Sequence, residues 1–286
     1  AASEGSEGKY YRWSREEVKS LLPNEQYALF ADIYALSGAP NFEEDYYALL
    51  MSKTRSEEAV ARKTDLADLE KQLLPMRQLL MQHRNKRIRP LLDTKIMTSW
   101  NGLMIRGFAD AGRLLEKPEY IATASKAAKF ILENMRNDQG QLLHSYNRGE
   151  ARFNAYVVDY AFFIEGLLAL HRATGKEEWL SYADTLTQAQ MKRFWDEKNG
   201  GFFFTSSDHE ILIARAKNPI DSVRPSGNSV TAANLLYLYK QLDKPEYLKT
   251  AQRAIDSVSG ILDSSPTAAP RIVIVLGGIL ELNSNR

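Results

Sequence analysis

Cysteine is absent from the 286 residues, which excludes disulfides, thiol nucleophiles and cysteine-ligated zinc. That absence suits a reducing compartment, and a cytoplasmic location is the expectation. Histidine is scarce, with four in the chain, and His83, His171 and His209 follow no ligand spacing. No metal and no cofactor are expected. Long apolar runs are also missing: the longest, residues 272–280, falls well short of the ~18 residues that a membrane span needs, so no membrane partner is expected. Neither sign of charge dominates. The 37 basic and 36 acidic residues leave a formal net charge of +1, which gives no pull toward nucleic acid. The basic run 84–89 reads as a solvated helix end, where cations are favoured. Residues 225–229 lack the lysine of a P-loop, and Ser226 and Ser229 have no evident His–Asp partnership for nucleophilic work.

What the chain does have is an ordinary globular balance, 44% apolar and 26% charged, and an internal repeat. Asn101, Tyr160 and Asn228 each stand 19 residues before Tyr120, Trp179 and Tyr247, and a basic residue (Arg113, Arg172, Lys240) stands 7 before each of those aromatics. A unit recurring at this length is a helical hairpin, and stacked hairpins share one core. One domain over residues 1–286 is expected. The first helix of each hairpin is apolar nearly all round, as in residues 161–170, so it is packed on most sides. The second is amphipathic, with Lys126, Lys129 and Glu133 on its outer face. Inner helices ringed by outer ones make a mainly α fold of the α/α-toroid type. Tyr120, Trp179 and Tyr247 are expected to pack between hairpins.

Local signals supply the remaining elements. Residues 9–13 read as strand-like, Ser14 caps a helix to about Leu22, and a second helix takes residues 26–36. Residues 41–50 read as extended and 52–64 as a mobile connection, helical at most at its end. A helix over 65–84 contains Pro75, a kink point. Ser99 is the expected N-cap of a helix to Leu115, and Pro118 opens one to about Met135. A short strand over 142–146, hairpin helices over 155–174 and 177–195, and a β-hairpin of 202–205 with 211–214 follow. Helices over 228–242, 245–260 and a last one ending at Leu282 complete the chain.

Parallel inner helices place their N-termini on one face, with short β-hairpins beside it. Three loops, 89–100, 148–159 and 217–227, gather there. Helix N-termini offer free N–H groups and a positive dipole end. The loops carry Asp93 with Arg89, Asp159 with Arg152, and Asp221 with Arg224. Trp100, Tyr156 and Tyr160 lie alongside. Carboxylates, arginines and flat rings around a hollow suit a sugar. The catalytic candidates are therefore Asp159, Asp93 and Asp221. Trp100, Asn101, Tyr156, Tyr160, Arg152, Arg224, Ser226, Asn228 and His144 are the candidate binding residues. Glu165, six residues beyond Asp159, is about 240° around the helix, so those two are not a pair on one face. A glycosidase needs two carboxyls about 5–9.5 Å apart, and the partner of Asp159 would have to come from another loop.

Residues 89–104 (Arg-Pro … Asp-Thr-Lys-Ile-Met-Thr-Ser-Trp-Asn-Gly-Leu-Met), together with Val158-Asp159-Tyr160-Ala161-Phe162, Gly200-Gly201-Phe202-Phe203, Pro225-Ser226-Gly227-Asn228-Ser229 and Ser3-Glu4-Gly5 … Tyr10-Tyr11-Arg12-Trp13, carry a resemblance. The chain resembles the thioredoxin-domain-containing proteins similar to spermatogenesis-associated protein 20. The resemblance implies a toroid like those of six-hairpin glycosidases and N-acylglucosamine 2-epimerases, here incomplete. It implies a C-terminal portion of an architecture whose thioredoxin-like domain and first hairpins lie outside this chain. A second copy or such a preceding segment is the expected means of completing the ring. Two positions depart from the family pattern: Ala1-Ala2 before Ser3, and Thr94 where a second Asp is usual. The leading expectation is hydrolysis or epimerisation of a small-molecule sugar, with a non-catalytic scaffold or sugar-binding module as the alternative and partner-helix binding as a third.

Overall fold

The computed structural model describes residues 2–43, 45–209 and 214–284. They form two compact units divided between Asp93 and Thr94. In the first, a two-residue ladder of β1 (Ala2–Ser3) and β2 (Ser6–Glu7) precedes α1 (Arg15–Leu21), α2 (Asn24–Ile33), α3 (Arg55–Ala61) and α4 (Leu66–Arg84). Its core gathers Trp13, Val18, Phe30, Leu36, Tyr47, Leu69, Leu73 and Leu80. The Ser14 hydroxyl accepts from the Glu17 N–H at 3.1 Å and starts α1 as expected. The expected mobile connection instead contains α3, begun by a Thr54–Glu57 capping box. That box substitutes for apolar periodicity, since just Glu58 and Ala59 of α3 are buried. Residues 9–13 make turns and a single bridge from Trp13 to Tyr47 rather than a strand. Helix α4 continues through Pro75. The basic run is not simply solvated: Arg87 donates to the Tyr10 and Arg12 carbonyls at 2.9 and 2.8 Å and lies 4.1 Å over the Trp13 ring.

The second unit is an arc of an α/α toroid. Its elements are β3 (Ile96–Met97), α5 (Thr98–Leu114), α6 (Pro118–Asn134), β4 (Leu143–Asn147), β5 (Glu150–Asn154), α7 (Val157–Thr174), α8 (Glu177–Phe194), α9 (Gly227–Leu242), α10 (Pro245–Asp256), α11 (Ser259–Ser264), and α12 (Pro270–Ser284), which follows a 3-10 turn. Helices α5, α7, α9 and α12 are the inner set, and α6, α8 and α10 pack outside them. The inner helices run parallel. Ser99 meets Asp159 and Arg106 meets Glu165 along α5 and α7. Gly227 meets Val157 and Asn234 meets Ala161 along α7 and α9. Gly278 of α12 meets Leu236 of α9. The β-branched end of the chain is thus a helix, as the repeat order requires.

Helix α7 is the centre of this unit, buried without a break from Val157 to Leu170. Phe162, Phe163 and Ile164 are each fully enclosed, and each such side chain contributes roughly 1.5–3 kcal/mol on burial. Two glycines allow α5 to reach it. A Cβ at Gly102 would stand 2.5 Å from the Phe162 carbonyl carbon, and one at Gly166 would stand 2.9 Å from the Gly102 oxygen. Trp179 and Tyr247 are buried as the repeat predicts, while Tyr120 stays 37% exposed against Phe108. A three-stranded antiparallel sheet, β3–β4–β5, pairs Met97 with Ser145 and Ser145 with Arg152. The expected strand 202–205 is a single Trp195–Phe202 bridge, and 211–213 of its expected partner lie outside the described residues.

Candidate functional site

Helix α5 begins at Thr98, not beyond Ser99, and no side chain of its own N-cap, Met97, holds it. The cap comes from 60 residues away: the Ser99 N–H donates to Asp159 Oδ1 at 3.0 Å. Asp159 is the third residue of α7, and its Oδ2 accepts the Tyr156 N–H at 2.9 Å. One carboxylate therefore ties down the first turns of two inner helices. The same Oδ2 accepts from His144 Nδ1 of β4 at 2.7 Å. Asp159 is fully buried, whereas the His144 side chain is 21% exposed. An ionised carboxylate only accepts hydrogen bonds, so Nδ1 of His144 carries the proton and Nε2 is left as the basic atom.

The His144 ring stands edge-on to Tyr156, with centroids 5.0 Å apart. Tyr156 stacks on Phe204 at 4.9 Å and lies 5.0 Å from His209. Phe204 is fixed by its carbonyl, which accepts the Val157 N–H at the start of α7. Beyond His209 a polar relay continues. The Ser206 hydroxyl donates to Asp208 at 2.6 Å, so it accepts from His209 Nδ1 at 3.0 Å. Asp208 also pairs with Arg193. Burial pushes the Asp208 carboxyl upward, but the Ser206 hydroxyl and Arg193 outweigh it and hold it below the ordinary range. Two imidazoles, each oriented through Nδ1, thus flank one tyrosine. The isolated positions of His209 and Phe204 in the chain carried no sequence signal for this.

The other expected site residues are placed as follows. Asp159, His144 and Tyr156 come together. Asp221 uses its two oxygens on the Ser226 and Arg271 N–H groups, at 2.8 and 3.0 Å, bracing the third loop to the start of α12. Asp93 is exposed and ends the first unit. The described partners of the Asp159 carboxylate are two N–H groups and an imidazole, none a carboxyl. Its enclosure speaks against the expectation that it acts on a ligand directly; its described contact toward the partly open side is the one with His144. Tyr160 is not a stacking surface but core, 1% exposed, its hydroxyl accepting the Leu142 N–H at 3.1 Å. Burial raises its phenol above the usual value. Asn228 is buried, bonding both the N–H and the carbonyl of Phe202, at 2.7 and 2.9 Å. Ser226 is the N-cap of α9, and Asn101 donates to the Met97 carbonyl.

Arg152 pairs with exposed Glu150 at 2.5 Å. It shares the sheet face of Ser145, and successive strand residues face opposite sides, so it is turned away from His144. A cleft of about 480 Å³ on its side is lined by Ser145, Arg148, Arg152 and Phe153. A larger cleft, about 730 Å³, lies along α6 from Pro118 to Glu133 and is lined by neither His144 nor Asp159. Trp100 remains open, 65% exposed, and Arg224 lies 5.7 Å over the Phe162 ring. Among the described residues no His, Asp and Glu cluster could hold a metal ion, and no helix is long and apolar enough to cross a membrane.

No protein-family model matches the chain. A solved sugar epimerase from a ruminal bacterium aligns with a TM-score of 0.50 and 18% identity over 60% of this chain and 46% of that one, a likeness of fold. An uncharacterized protein of Caenorhabditis elegans is 30% identical over 94% of this chain and 40% of its own length. Mouse spermatogenesis-associated protein 20 is 31% identical over 94% of this chain and 38% of its own. The chain spans about two fifths of the length of these curated relatives. Over 94% of its residues, therefore, this chain is a homologue of spermatogenesis-associated protein 20.

Proposed function

We propose that this chain is a carbohydrate-active α/α-toroid module whose chemistry is proton transfer on a reducing sugar. His144 is the acid–base group and Asp159 the residue that orients it. The observation that carries this reading is the 2.7 Å contact between a partly open imidazole and a wholly buried carboxylate. Such a pair holds one tautomer, leaves Nε2 free to take a proton, and stabilises the imidazolium that results.

In the reaction, Nε2 removes the proton from the carbon next to the carbonyl of the open-chain sugar, and the electron pair passes to the carbonyl oxygen as an enediolate. His209, its Nδ1–H held by Ser206, takes a solvent proton on Nε2 and, as the imidazolium, delivers it to that oxygen or to the opposite face of the carbon. Return of a proton to the same carbon gives the epimer; return to the neighbouring carbon gives the isomer. Hydrolysis is the weaker reading, because two of the three carboxyls expected to supply a catalytic pair, Asp159 and Asp221, are spent on backbone N–H groups and on His144. The aligned structure is a sugar epimerase, which accords with this chemistry, and Trp100 is available as a stacking surface.

The test is incubation with a panel of aldoses, ketoses and N-acyl hexosamines in deuterated water, followed by NMR. Exchange at the carbon next to the carbonyl is expected, lowered roughly 10²–10⁴-fold by His144→Gln with little change in melting temperature. Absence of exchange across the panel, or exchange that His144→Gln leaves untouched, would sink the proposal. Hydrolysis of glycosides that survives His144→Gln would replace it with a glycosidase reading.

A further inference from the structure

One flank of α7 presents Phe162, Glu165 and Arg172, residues at i, i+3 and i+10 that share a side of the helix. Each meets a different neighbour. Glu165 Oε1 accepts from Arg106 of α5 at 2.9 Å and is also paired with Arg271 of α12. Arg224, from the loop before α9, lies over Phe162. Arg172 reaches Asp110 of α5 and lies 5.3 Å over Tyr237 of α9. Since α5 and α12 pack on opposite sides of the α7–α9 pair, a residue of α7 that touches both faces the inside of the arc.

The charges on this inner stripe do not balance. Arg106, Arg172, Arg224 and Arg271 stand against Glu165, Asp110, which reaches both Arg172 and Arg106 at 3.5 and 3.6 Å, and Asp221, which accepts the Arg271 N–H. One guanidinium is left as a surplus cation. The hydrogen bonds do not balance either. Two guanidinia, with five N–H donors each, converge on one carboxylate oxygen. Glu165 is 4% exposed, and among the described residues its buried Oε2 finds no hydrogen-bond partner, nor does the buried Arg271 Nε. A buried half-satisfied network of this kind calls for an explanation. Arg106 and Arg271 nonetheless keep side-chain exposures of 37% and 21%, so both are reachable from the hollow.

We infer that Arg106 and Arg271 form an anion receptor on the inner face of the arc, with Glu165 as the built-in counter-ion that holds the two guanidinia apart and ready. The chemistry recognised is a carboxylate or phosphate group, which planar guanidinia bind in bidentate fashion. Glu165 is six residues beyond Asp159, about 9 Å along the helix axis. Resting on the sugar reading above, the substrate class becomes a sugar that bears an anionic substituent. A brace with no ligand would hold the same three side chains together but would give no anion affinity.

The experiment is calorimetric titration of the full chain with D-glucuronate, D-glucose 6-phosphate, D-glucose and inorganic phosphate. The anionic sugars are expected to bind at least 10-fold more tightly than glucose and to weaken as salt is raised. Arg106→Gln, at a half-open position, should remove that preference, and Arg106→Lys should restore part of it. Glu165→Gln, checked for a retained melting transition, should tighten anion binding. Equal affinity for glucose and the anionic sugars, or wild-type anion affinity in both Arg106→Gln and Arg271→Gln, would overturn the inference while leaving the sugar reading intact. Binding of inorganic phosphate through the two arginines with no added affinity from any sugar would uphold the receptor and remove the sugar reading.

Discussion

Helix α5 carries two glycines whose replacement by alanine should shift stability in opposite directions. At Gly102 the new methyl would stand 2.5 Å from the Phe162 carbonyl carbon and 2.6 Å from both its oxygen and the Phe163 nitrogen. Comfortable carbon contacts begin near 3.5 Å, so the helices must part by about 1 Å. The obstructing atoms are backbone and cannot swing aside. Overpacking of this kind costs typically 1–3 kcal/mol, while alanine returns about 1 kcal/mol of helix propensity. The net loss is up to about 2 kcal/mol, a fall of up to about 8 °C in melting temperature for a unit of this size. At Gly107 nothing lies within 4 Å of the added atom, so only the propensity gain of up to about 1 kcal/mol remains, a rise of roughly 2–4 °C. Thermal and urea denaturation followed by far-ultraviolet circular dichroism reads both. Equal shifts in the same direction would refute the close approach of α5 to α7, and with it the capping of α5 by Asp159.

Two further outcomes follow from polar groups enclosed by the fold. Asn228→Ala strands the N–H and the carbonyl of Phe202, and at about 1–3 kcal/mol for each unsatisfied group it should destabilise by roughly 2–6 kcal/mol; a urea midpoint near that of the wild type would contradict this. Asp196 is held well below the usual carboxylate range, first by the Lys217 ammonium at 2.6 Å and then by Asn199 and Lys198. A depressed folded pKa contributes stability in full above the ordinary value near 4, lost as pH falls through the lower folded value. The melting-temperature gap between wild type and Asp196→Asn should therefore be constant from pH 7 to about 5 and shrink progressively as the pH falls below about 4. A gap that stays undiminished as the pH falls would show that the Lys217 pairing is not its source.

The inner and outer helices of the second unit were legible because their information is local. The 19-residue interval from Tyr160 to Trp179, and the unbroken apolar run of α7, follow from helical periodicity alone. The first unit was less legible at α3, where a Thr54–Glu57 cap stands in for an apolar face. At the site, Asp159 and His144 were both visible as candidates, but their pairing spans 15 residues and two kinds of element. Ser99 looked like a cap because it is a small hydroxyl at a helix start, yet its N–H is satisfied by a carboxylate brought near by tertiary packing. Tyr160 and Asn228 looked like ligand contacts because they stand beside the loops that precede the inner helices. That place serves packing at the start of each helix, which sequence position alone cannot separate from binding. The arginines on the inner stripe come from α5, the third loop and α12, and no sequence interval links them.

The triple use of the Asp159 carboxylate has an evolutionary consequence. On the function proposed above, scaffold and reactivity would share an atom: the oxygen that accepts from the His144 imidazole also seals the entrance of α7, while its twin seals α5. Drift at His144 would then end the proposed chemistry and leave the architecture whole, whereas drift at Asp159 would remove both at once. Paralogues that abandon the chemistry should therefore keep the aspartate long after the histidine has gone, and libraries built to retune this centre should vary position 144 and hold 159 constant.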